Sequence, residues 1–70
     1  MSENDTHALI AKGNTYIAEG KPGDARNCFE KALKKEPESA AALDGLGWTY
    51  YMEGRSAEAR EALERAIHCD

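Results

Sequence analysis

The chain has 70 residues, a formal net charge of −4, 41% hydrophobic and 31% charged residues, and two cysteines. That length holds one domain with one modest core, because a chain this short buries only about 60% of the surface its unfolded form exposes. The acidic balance argues against nucleic acid, which calls for a basic face, and against an anionic membrane surface. No apolar run nears the roughly 20 residues of a membrane-spanning helix, and the polar start Met1-Ser2-Glu3-Asn4-Asp5 is no signal peptide. Cys28 and Cys69 make no disulfide framework, so the expected setting is a reducing cytoplasm with free thiols.

The first element is a helix over about 7–19. Leu9, Gly13 and Tyr16 recur at i, i+4 and i+7, one helical face. Gly20 ends it, since glycine takes the left-handed conformation of a helix terminus without steric cost. Pro22 suits the opening turn of a second helix, over about 23–35. Ala25, Cys28, Phe29, Ala32 and Leu33 form its apolar stripe, Lys34 and Lys35 favour its C-terminal end, and Pro37 closes it. Ser39 is placed to cap a third helix over about 40–53, whose face is Leu43, Leu46, Gly47 and Tyr50 and which Gly54 ends. Ser56 is placed to cap a fourth, over about 57–69, with the stripe Ala59, Leu63, Ala66 and Ile67. The fold class is all-α.

These four helices are two copies of one plan. Shifting the first by 34 residues sets Gly13 on Gly47, Tyr16 on Tyr50, Glu19 on Glu53 and Gly20 on Gly54. It also sets Ala25 on Ala59, Arg26 on Arg60 and Ala32 on Ala66, with Phe29/Leu63 and Leu33/Ile67 as conservative pairs. Self-similarity at a fixed period marks a tandem repeat. Gly13 and Gly47 fall in mid-helix, where glycine costs about 1 kcal/mol against alanine. That is tolerable where a partner helix comes close, and Ala25 and Ala59 are the expected places of approach.

Gly13, Tyr16, Gly20, Ala25, Phe29, Ala32 and Pro37, with Gly47, Tyr50, Gly54, Ala59, Leu63 and Ala66, resemble the tetratricopeptide repeat, a 34-residue helix–turn–helix. The resemblance implies right-handed helical hairpins, four antiparallel helices in a single domain over 1–70. Repeat 1 is expected at about 6–39, repeat 2 at about 40–70, and residues 1–5 as a flexible N-terminus. It also implies a non-catalytic module without cofactors, which binds a peptide or helix of a partner protein in a concave groove. The first helix of each hairpin lines that groove. Carried over residue by residue, the lining is Ile10, Asn14 and Ile17 from the first repeat, and Ala41, Asp44, Trp48, Tyr51 and Met52 from the second.

Trp48, Tyr51 and Met52 stand at i, i+3 and i+4, a single stripe. Two readings stay open for the aromatics: anchors for a partner, or cover for the first hairpin that closes a small core. The groove departs from the carboxylate clamp of chaperone-binding adaptors. Asn14 matches one clamp asparagine, but Ile10 stands in a lysine's place and Gly45 in a second asparagine's. Two repeats are also fewer than the three or more usual for stability. Leu63, Ala66 and Ile67 would then form an open end, offering self-association into a homo-oligomer as the alternative function, unless the chain is a piece of a longer repeat scaffold. No catalytic set and no metal site stand out. His7, His68, Cys28 and Cys69 lack the short paired spacing of zinc ligands, and the glycines lack that of a phosphate loop.

Overall fold

The computed structural model describes residues 5–68, which fold into four helices: α1 (Thr6–Ala18), α2 (Pro22–Lys35), α3 (Ala40–Met52) and α4 (Ser56–His68). The expected flexible terminus lies almost wholly outside the described residues, as does Cys69.

Local chemistry sets the helix ends. Gly20 and Gly54 take φ of +74° and +79°, the left-handed region in which a side chain would be strained. Each closes the same double-bonded terminus. Lys21 N–H donates to the Tyr16 carbonyl at 2.8 Å and Gly20 N–H to that of Ile17 at 3.0 Å. Arg55 N–H donates to the Tyr50 carbonyl at 2.8 Å and Gly54 N–H to that of Tyr51 at 3.1 Å. Pro22 opens α2, where a missing N–H leaves nothing unsatisfied. Glu36, ahead of Pro37, leaves the helical region at φ −133° and ψ 87° and stops that helix. Ser39 caps α3, its Oγ accepting from Ala42 N–H at 3.2 Å. Ser56 is already the first residue of α4, and the Arg55 carbonyl accepts from Ala59 N–H at 2.9 Å.

The helices pair as two hairpins, α1/α2 and α3/α4, with α3 laid against both helices of the first. The α4 helix touches only α3. Each unit therefore meets only its neighbour, the one-dimensional logic of repeat proteins.

At the centre is Phe29, fully buried on α2. A Cβ built on Gly13 would sit 2.6 Å from the ring tip, and one on Gly45 would run into the same atoms. The mid-helix glycines are thus required by packing, as their position suggested. The group that approaches Gly13 is the Phe29 ring rather than Ala25. In the second hairpin, Leu63 takes the ring's place, 2.8 Å from a Cβ on Gly47, with the Ala59 carbonyl 3.3 Å away. Leu46 completes a cluster with Ala25 and Phe29, against which Ile10, Tyr16, Ile17, Leu33 and Tyr50 pack. Buried Thr49 satisfies its hydroxyl by donating to the Leu46 carbonyl at 2.7 Å.

Candidate functional site

The helical period of α3 turns Leu43, Leu46 and Thr49 inward and leaves another stripe in solvent. Trp48, Tyr51 and Met52 on that stripe are 52%, 64% and 42% exposed. The two rings meet edge to face, centroids 6.0 Å apart, the arrangement an aromatic quadrupole favours. Exposure on this scale means that the first hairpin does not absorb them.

Beside the rings is a notch formed by Gly47, Trp48, Tyr51 and Leu63. Its floor exists because Gly47 has no side chain and Leu63 crosses the gap. A second shallow depression lies between Ala40, Ala41 and Asp44 of α3 and Leu63, Ala66 and Ile67 of α4. Leu63 lines both, so residues expected in a groove and residues expected at an open end share one side of the second hairpin. Ile67, 73% exposed, is the most open large apolar side chain there.

The first repeat contributes differently. Asn14 is exposed on α1, whereas Ile10 and Ile17 are half-buried against the Ala25–Phe29–Leu46 cluster. They wall the junction between hairpins, with only their edges free.

Two features were not foreseen from the sequence. Arg26 of α2 forms an ion pair with Glu53 at the end of α3, both side chains mostly covered, and this ties the hairpins together. Glu53 also lies 3.8 Å from Arg55, which is 3.6 Å from Glu58 and sits over the Tyr50 ring at 5.7 Å. The available signal was that Arg26/Arg60 and Glu19/Glu53, charged positions that no single hairpin needs for its core, are identical in both copies. The second feature is Gly45, whose repeat counterpart is Ala11, so repetition gave no hint of its contact.

His7 and His68 are exposed near helix ends, and Cys28 is buried in α2. Among the described residues no three His, Cys, Asp or Glu side chains gather as a metal site. No helix there is long and apolar enough to cross a membrane. The surface offers apolar area, aromatic edges and one carboxylate at Asp44, which suits binding.

Compared with known families, residues 10–70 match the pattern described as "Tetratricopeptide repeat". Among curated proteins, none matches the chain.

Proposed function

The chain belongs to the tetratricopeptide repeat family, and from that premise we propose a non-catalytic protein–protein interaction module that holds an amphipathic helix or apolar peptide of a partner. The observation that carries this reading is the exposed Trp48–Tyr51–Met52 stripe beside the notch over Leu63. A monomer gains nothing in stability from large apolar groups left in water, whereas a partner that covers them gains about 25 cal/mol per Å² of apolar area. Tryptophan and tyrosine bring that area at low entropic cost and carry a polar tip for orientation. Asn14 and the free edges of Ile10 and Ile17 extend the surface across the first hairpin. Asp44 selects for a lysine or arginine on the occupant. The expected setting is the cytoplasm.

Trp48 is the sole tryptophan, so its fluorescence reports directly on the site. A synthetic helix with leucines at i, i+3, i+4 and i+7 and lysines opposite should shift its emission to the blue and saturate. Tyr51→Ala with Met52→Ala should weaken binding at least about tenfold while leaving helicity unchanged. Saturable binding that survives this double substitution would place the site elsewhere.

A further inference from the structure

The molecule contains a worked example of what covers an open hairpin end, namely α3 docked on α1/α2. From it we infer that a second copy of the chain docks its α1 on the α3/α4 face, head to tail. The inference rests on the repeat register and not on the groove reading.

The receiving side of the internal junction is Ile10, Ile17, Phe29 and Leu33, which pack against α3. Their counterparts 34 residues on are Asp44, Tyr51, Leu63 and Ile67, all on the open side of the second hairpin. The inserting side is Ala42, Gly45, Leu46 and Thr49 of α3, all buried. Their counterparts on α1 are Ala8, Ala11, Lys12 and Thr15, all exposed. Among the described residues, each copy thus carries both halves of the junction with no helix over them, at opposite ends.

The two free halves also match each other where they differ from the internal pair. The Arg26–Glu53 ion pair between hairpins becomes Arg60 of one copy and Glu19 of the next, both exposed. Phe29 demands glycine at 45, and the smaller Leu63 would face Ala11, a methyl added where a ring is lost. Ile10 packs on the cluster that Leu46 completes, and their replacements are Asp44 and Lys12, an apolar contact exchanged for opposite charges. An unrelated apolar helix would satisfy the hydrophobic part alone, whereas α1 supplies all three matches.

A head-to-tail contact leaves a fresh end after each addition, so assembly continues past the dimer, as an open stack or, where the rotation closes, as a ring. Trp48 and Met52 correspond to exposed Asn14 and Ala18 and stay outside the junction, whereas Tyr51, Leu63 and Asp44 lie within it, so stacking and partner binding compete for that part of the surface.

Analytical ultracentrifugation of the intact chain over a dilution series provides the test. Average mass should climb with concentration without a dimer plateau. Arg60→Glu and Glu19→Arg, on opposite hairpins, should each weaken association about tenfold, with unchanged circular dichroism. An equimolar mixture of the two variants should restore association, because every junction between unlike copies is again complementary. A strict monomer, a plateau at dimer, indifference to Glu19→Arg, or no restoration on mixing would each overturn the proposal.

Discussion

Phe29 and Leu63 occupy the same place in their hairpins, yet one is sealed between two glycine backbones and the other is only partly buried. Nothing within either hairpin causes this difference. The α3 helix covers the first, and the described residues hold no such cover for the second. In this chain, burial at a repeat position belongs to the next unit along as much as to the residue itself.

The strongest way to break the comparison is to truncate both members. Phe29→Ala should cost about 3–5 kcal/mol, a large part of the stability expected for a chain this size, and leave it barely folded. Leu63→Ala should cost clearly less than that, because the side chain is smaller and part of its surface already meets water. Urea unfolding at high dilution compares them, and equal losses would mean that the second end is covered in solution.

Next in size is the contrast between Gly45 and Ala11. Gly45→Ala gains about 1 kcal/mol of helix propensity but drives a methyl into a ring with no room to yield, for a net loss of about 1–2 kcal/mol. Ala11→Gly, on the exposed face of α1, should lose only the propensity term, about 1 kcal/mol. Thermal unfolding of the two variants checks the order.

Smaller again is the ion pair. Arg26→Ala should cost up to about 1 kcal/mol, and the effect should shrink in molar salt; Arg60→Ala should change dilute stability by no more than a few tenths. Last, Trp48→Ala should move stability by within about 0.5 kcal/mol. Denaturation and peptide titration on the same sample separate that small change from the larger loss of binding.

Much of this organisation is legible in the residues alone. The left-handed caps at Gly20 and Gly54 and the cap at Ser39 follow from local chemistry, which acts within a few positions. The 34-residue period reveals which residues the hairpin needs, since Tyr16/Tyr50 and Gly13/Gly47 recur for one reason. Contacts between the copies are harder to read. Phe29 meeting Gly45 and Arg26 meeting Glu53 join residues 16 and 27 positions apart, and their pairing depends on how α3 lies across α1/α2. Ile10 and Trp48 carry the same lesson for the candidate site. Both lie on the faces that the family pattern assigns to a groove, but α3 half-covers Ile10, whereas Trp48, on α3 itself, is left free by its neighbours.

The clamp on Phe29 has a consequence for motion. Turning the ring about its own axis sweeps its edge carbons through space held by the backbones of α1 and α3 at Gly13 and Gly45. Close packing leaves little slack there, so a half-turn is expected to be slow and to follow the opening of the joint. The chain has a single phenylalanine, so its ring protons form one phenylalanine spin system. Their exchange rate is a clock for the breathing of the inter-hairpin joint, and anything that docks on the open end and stiffens the stack should slow it.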